Sequence, residues 1–188
     1  MWKPIVFIIA TALLVYISRK SLLQPRSHGF YRFFAWEAIL ALVALNLPVW
    51  FRRPFSAVQI ISWLLLIGAA FLVLHGVYLL RVVGRSGSRA ESAPKGMETN
   101  YAFENTTHLV RAGAYRFIRH PLYASLLYLA WGIYLKRPAS LPAIVLVLAA
   151  SLFLWLTARA DEAECRSFFG AEYREYMRQT RMFIPFIF

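Results

Sequence analysis

Five long apolar runs, separated by short clusters of basic residues, leave this chain few ways to fold. About 20 apolar residues cross a bilayer as a helix, with a range of roughly 17–25. In lipid only helices or closed barrels satisfy their own backbone groups. The runs extend from Pro4 to Leu23, from about Phe33 to Trp50, from Phe55 to about Val83, from Leu122 to Leu135 and from Leu141 to about Ala158. The first carries no small-residue cleavage site before the next segment, so it reads as a retained transmembrane helix and not a leader. Pro121 and Pro142 suit the first turn of runs four and five, where a missing N–H costs nothing. Run four is short for a crossing: either it starts earlier, near Tyr115, or it forms a tilted hairpin with run five. The expected fold is an all-α integral membrane protein of about five transmembrane helices. Residues 1–83 supply the first three, and residues 84–188 supply a C-terminal helical hairpin and a polar tail.

The formal net charge of +12, from 21 Lys+Arg against 9 Asp+Glu, raises the question of nucleic acid. Nucleic-acid binders place such charge on a solvated face beside a soluble core. Here 60% of residues are hydrophobic, against about 45–50% in soluble domains. The charges sit between the runs, as they do at membrane boundaries, and no nucleic-acid partner is expected. Basic residues concentrate after runs one, three and five, and are sparser around Lys3, Arg52-Arg53 and Lys136-Arg137. The richer side is cytoplasmic by the positive-inside rule. This puts the N-terminus outside and the C-terminus inside, in what reads as a bacterial inner membrane. The single cysteine, Cys165, excludes an internal disulfide framework. The four histidines show no ligand spacing, so no metal is expected. No GxxxG seam argues for an oligomeric state.

The polar residues are as unevenly placed as the charges. The outer loops are a few residues long, whereas two cytoplasmic segments are long and varied: Gly84 to Arg119, opening on the turn-rich Gly84-Arg85-Ser86-Gly87-Ser88, and the tail from Arg159. The triplet Asn105-Thr106-Thr107 is a glycosylation sequon by letter only on that side of the membrane. Two clusters have the makings of a site. The first is His108-Leu109-Val110-Arg111-Ala112-Gly113-Ala114-Tyr115, followed by Arg119-His120-Pro121-Leu122-Tyr123 at the mouth of run four, where a helix N-terminus favours an anion. The plainer account is interfacial residues touching headgroups, with Tyr123 in the aromatic belt. The second cluster follows run five. Five of the nine acidic residues (Asp161, Glu162, Glu164, Glu172 and Glu175) fall in this stretch. Carboxylates at the end of an intramembrane helix are expensive unless partnered. Ion pairing with Arg159, Arg166 or Arg119 is the plain account; holding a ligand ammonium is the sharper one.

The ordered set formed by Gly113-Ala114-Tyr115, Arg119-His120-Pro121-Leu122-Tyr123, an apolar hairpin, Asp161-Glu162 and Phe169-Gly170-Ala171-Glu172-Tyr173 with Tyr176 resembles the isoprenylcysteine carboxyl methyltransferase family. That family is related to the membrane phospholipid N-methyltransferases. The resemblance covers roughly Phe103 to Phe188. It implies a cytoplasm-facing pocket for S-adenosylmethionine, closed by the C-terminal tail, with a lipophilic or prenylated acceptor entering from the bilayer. Carried over residue by residue, His120 meets the donor's amino-acid end, with Pro121 and Tyr123 beside it, and Glu162 binds its ammonium. His108, Leu109, Val110 and Tyr115 come from the segment that wraps it, and Tyr173 and Tyr176 pack the closing tail.

Two positions depart from the family pattern. The acidic pair is usually Glu-Glu, and here it is Asp161-Glu162. An Arg that steadies the acceptor carboxylate stands five residues before the second Glu in the carboxyl methyltransferases, and that place is Thr157 here. Arg159, two residues on, and Arg119 are the candidates to hold an acceptor carboxylate or phosphate. The expected activity is carboxyl methylation of an isoprenylcysteine-like acceptor, with phosphatidylethanolamine N-methylation as the alternative. Sterol reductases have a similar C-terminal half, which brings in a nicotinamide-dependent membrane reductase, although the short tail after Glu162 leaves little room for a dinucleotide. A non-enzymatic membrane partner with a vestigial site is the third class.

Overall fold

A computed structural model describes residues 2–84, 106 and 108–187, with side chains from Pro4 onward. The Arg85–Ser88 part of the turn-rich stretch, and Asn105 and Thr107 of the sequon triplet, lie outside the described residues. Six α-helices follow in order: α1 (Trp2–Leu22), α2 (His28–Asn46), α3 (Ala57–Val82), α4 (Pro121–Tyr134), α5 (Leu141–Phe169) and α6 (Ala171–Gln179). No strand occurs among the described residues; a parallel bridge pairs Ile118 with Arg181. Among the described residues four helices are long and apolar enough to cross a membrane: Pro4–Leu22, His28–Val49, Ala57–Val82 and Leu141–Phe169. The chain is an all-α integral membrane protein.

The boundaries differ from the apolar runs at three places, each for a local reason. Helix α2 begins at His28, five residues before the run, because the Ser27 side chain caps it by accepting from the Phe30 N–H at 3.1 Å. Helix α5 does not stop at Ala158 but continues to Phe169, so Asp161 and Glu162 lie within the helix and not after it. At 29 residues it is about 44 Å long, more than the roughly 30 Å of a hydrocarbon core. Its end comes at Gly170, whose φ of 58° and ψ of −123° suit only glycine and turn the chain into α6. Run four forms a helix of 14 residues, about 21 Å, that starts at Pro121 and not near Tyr115. His120, held out of the helical region by the following proline, precedes it with φ −123° and ψ 63°.

The helices pack in the spatial order α1, α2, α5, α4, α3, with α2 also touching α4. Small residues let the inner helices approach: Ala35 and Ala38 of α2, Ala124 and Ala130 of α4, and Ala143, Ala150 and Ala158 of α5 are all buried. Gly132 of α4 lies so close to α3 that an added Cβ would stand 2.9 Å from Leu66 Cδ2. The Ser62 hydroxyl donates to the Gly132 carbonyl at 2.7 Å across the same seam. At one end of the α4–α5 hairpin, Gln59 donates to the carbonyl of Leu135 at 3.0 Å, and Lys136 Nζ sits 3.5 Å from the centre of the Trp63 ring. At the other end, Met182 and Phe183 of the tail enter the core between Ala35, Tyr123, Ala124, Leu154 and Ala158. The outward faces are lipid-like. On α5, Leu141, Val145, Leu148, Leu152 and Trp155 form an exposed stripe at helical spacing.

Candidate active site

The two polar clusters meet at the end of the α4–α5 hairpin remote from its connecting turn. Ile118 to His120 runs extended, and the tail pairs with it. The Arg119 N–H donates to the Arg181 carbonyl at 2.7 Å, the Arg181 N–H to the Phe117 carbonyl at 3.0 Å and the His120 N–H to the Met182 carbonyl at 3.3 Å. Gly113 opens a 3-10 turn, Gly113–Arg116, that delivers Tyr115 to the interior. Its φ is 56°, and a Cβ there would run into the His75 ring and stand 2.7 Å from Leu79. The buried Tyr176 hydroxyl of α6 donates to the Tyr115 carbonyl at 2.6 Å, closing the tail over this turn.

Arg119 joins the helix pair to the tail. Its Nε and Nη2 each lie 2.8 Å from Glu162 Oε1, while Nη1 donates to the carbonyls of Met177, at 3.3 Å, and Thr180. Glu162 is fully buried, and its second oxygen is approached only loosely by Arg159 Nη1, at 3.7 Å. Asp161, one residue earlier, points elsewhere. Its Oδ2 lies 3.4 Å from His120 Nδ1, and its Oδ1 accepts from the Cys165 thiol at 3.6 Å. The His120 ring is buried and stacks on Tyr123 at 5.4 Å between centres. Its Nε2 has no hydrogen-bond partner, with Glu162 Oε1 3.6 Å away. Burial disfavours the charged imidazole, but the hydrogen bonds and charges of Asp161 and Glu162 outweigh it, and the pKa of His120 is raised.

A pocket opens here, with about 690 Å³ of empty space including its mouth. Of the residues expected at the site, Leu109, Val110, Tyr115, Arg119, His120 and Tyr123 line it. His108 is exposed and outside the lining, and Pro121 is buried as the first residue of α4. Glu162 lies behind the wall, engaged by Arg119. Arg159 also lies outside, on the exposed stripe of α5. Asp161 is the carboxylate that faces the pocket, and Tyr173 and Tyr176 contribute wall from α6. Leu80, Leu122, Cys165 and Phe169 complete much of the lining without having been singled out in the sequence. Only the spacing of Asp161, Cys165 and Phe169 at successive fours hinted at a shared face. No nearby sequence signal marks Leu80 of α3.

The arrangement suits a ligand with a zwitterionic end and an apolar or aromatic body. The buried His120 ring brings a nitrogen without a hydrogen-bond partner, Nε2; Asp161 is a carboxylate 3.4 Å from the other, Nδ1; and aliphatic and tyrosine side chains make the rest. Among the described residues a second group of potential ligand atoms, from His28, Asp161 and Glu164, falls within 4.8 Å of one another. In it His28 Nδ1 is already hydrogen-bonded to Glu164 at 2.8 Å.

Several known proteins are similar to the chain in sequence. Two proteins of Oryza sativa, from subsp. indica and subsp. japonica, are each named probable protein-S-isoprenylcysteine O-methyltransferase. Each is 37% identical to the chain over 87 residues, 45% of this chain and 44% of its own length. The protein-S-isoprenylcysteine O-methyltransferase of Tribolium castaneum is 30% identical over 136 residues, 71% of this chain and 46% of its own length. The chain thus spans less than half the length of the curated relatives it matches. No family model matches it, and no solved structure does.

Proposed function

We propose that this chain is a membrane methyltransferase that uses S-adenosylmethionine to esterify the carboxylate of a lipophilic, isoprenylcysteine-like acceptor. The observation that carries the reading is the polar end of the pocket, where the Asp161 carboxylate lies 3.4 Å from His120 Nδ1 at the end of membrane helices. The His120 ring meets the donor's α-carboxylate and Asp161 its ammonium, while Tyr115 and Tyr123 lie along its body. The names of the relatives in Oryza and Tribolium support the same chemistry. The basic loops support a pocket that faces the cytoplasm, with the N-terminus outside.

S-adenosylmethionine supplies a methyl group made electrophilic by a positively charged sulfur. A carboxylate oxygen of the acceptor forms the new C–O bond as the C–S bond breaks and its electron pair returns to sulfur, so no proton moves. The protein's share is alignment, desolvation and exclusion of water. This favours a carboxylate over an amine acceptor, because an amine must first lose a proton to a base. The two carboxylates beside His120 raise its pKa and so favour the protonated form, which cannot serve as that base.

Incubation of membranes containing the protein with methyl-labelled donor and a farnesylcysteine derivative tests the reading. Base-labile label released as methanol is expected. Base-stable label in the lipid extract would replace it with phospholipid N-methylation, and no transfer to any acceptor would refute it.

A further inference from the structure

We infer that His28, at the start of α2, is a positioning residue for the donor end of this pocket, acting through Glu164 on Asp161. The inference rests on the methyl-donor reading and adds to it a residue from the N-terminal half of the chain, outside the stretch from about Phe103 to Phe188 that carries the motif resemblance.

His28 is buried to 1% exposure and lies 136 residues from its partner. Its Nδ1 stands 2.9 Å and 2.8 Å from the two oxygens of Glu164, and its backbone N–H reaches Glu164 Oε1 at 3.5 Å. Because Nδ1 faces only carboxylate oxygens, it carries the proton. The carboxylate also sits at the N-terminus of α2, where free N–H groups favour an anion. Both contacts fix Glu164, and with it one face of α5.

Asp161 shares that face, three residues earlier on the same helix, and its carboxylate lies within 4.8 Å of both the His28 nitrogen and a Glu164 oxygen. Asp161 lines the pocket, whereas His28 and Glu164 stand behind it. Two carboxylates this close repel unless a donor or cation engages one of them. His28 ties Glu164 back, leaving the Asp161 carboxylate turned toward His120 and the pocket. Without His28, Glu164 is released toward Asp161, and the acceptor for a ligand ammonium is displaced. Glu162 does not substitute, because it is fully buried outside the pocket lining, with Arg119 on its Oε1.

The test compares two nucleosides on the full-length protein in detergent. S-adenosylhomocysteine carries the amino-acid end, and 5′-methylthioadenosine is the same nucleoside thioether without it. For His28→Ala, affinity for S-adenosylhomocysteine is expected to fall about tenfold, with less than about a twofold change for 5′-methylthioadenosine, the scale of one charge-assisted contact. Asp161→Asn should reproduce the loss, and adding His28→Ala to it should cost nothing more. His28→Gln, which can still donate to Glu164, should recover part of the affinity. If His28→Ala does not fold, His28→Gln alone carries the comparison, and Glu164→Gln, which removes the competing carboxylate, should leave affinity for S-adenosylhomocysteine within about twofold; a tenfold loss there overturns the inference. Equal weakening of both nucleosides, or an undiminished His28→Ala effect in the Asp161→Asn background, overturns the inference alone. Failure of the unaltered protein to bind either nucleoside overturns the methyl-donor reading and the inference with it.

Discussion

Replacing Arg119 by Met keeps most of the side chain's length and apolar stem while removing two kinds of contact: the buried pair with Glu162 and the bonds to the carbonyls of Met177 and Thr180. Breaking a buried ion pair by deleting one partner costs about 3–5 kcal/mol, because the other charge stays buried and unpaired. Arg159 cannot take over at 3.7 Å from the far oxygen, with its own side chain 54% exposed. Most of the loss falls on the tail, since Arg119 is the side chain that joins α5 to the end of α6. Amide hydrogen exchange of the Arg181 N–H, bonded to Phe117, reads that loss directly. An opening made about 3 kcal/mol easier speeds exchange by roughly 150-fold when exchange follows local opening. Arg119→Lys keeps the charge but not the fork, and should fall between. The double variant Arg119→Met with Glu162→Met should be less destabilised than the sum of its parts. Tail exchange within threefold of wild type in Arg119→Met would refute the assignment of Arg119 as the clamp.

Three further outcomes are expected. His120 has a folded pKa raised above its unfolded value of about 6.5. Its contribution to stability is therefore complete below that pH and lost as pH rises through the raised value, and His120→Gln should flatten the fall in melting temperature above about pH 6.5. Gly113→Ala forces a Cβ onto a positive φ and against His75 and Leu79, and should cost more than about 1 kcal/mol by thermal melting, with weaker S-adenosylhomocysteine binding through Tyr115. Arg159→Ala should leave the dissociation constant of S-adenosylhomocysteine within about twofold while lowering turnover of a carboxylate acceptor, as expected for a charge-assisted contact made to the acceptor alone. A matching loss of donor affinity would show that Arg159 acts through Glu162.

The helices were legible because each apolar run is long enough for lipid to dictate its state, and the misreadings came where that signal stops. Helix α5 runs on past Ala158 because nothing between Arg159 and Phe169 breaks it, and hydropathy cannot see a helix that continues into polar residues. The start of α2 depended on one serine cap, a signal present in the sequence at Ser27 but outvoted by the apolar count. Much of the pocket came from residues close together in the chain, such as Leu109, Val110, Tyr115, His120 and Tyr123, and was readable as a cluster. Leu80 and His28 were not, because their place depends on which helices neighbour one another. A pairing 136 residues apart leaves no periodic trace.

The division of labour between Asp161 and Glu162 follows from the same geometry. Successive residues of a helix point about 100° apart, so two adjacent carboxylates cannot both face one pocket. The phase of α5 is set by what its apolar stripes need: Ala143, Val147, Ala150, Leu154 and Ala158 face the core, and Leu141, Val145, Leu148, Leu152 and Trp155 face outward. Carried one further turn, the outward stripe arrives at Arg159 and the core face at Glu162. Asp161 falls on the flank between α5 and His120, which is where the pocket lies. Glu162 is thereby committed to Arg119, and the departure from a Glu-Glu pair falls on the pocket side. Aspartate is one methylene shorter than glutamate, so a carboxylate at this position stands closer to its own helix. There it comes within reach of Cys165 and within the His28–Glu164 group. The residue at 161 is thus tuned by neighbours from both halves of the chain, while the one at 162 is fixed by the tail.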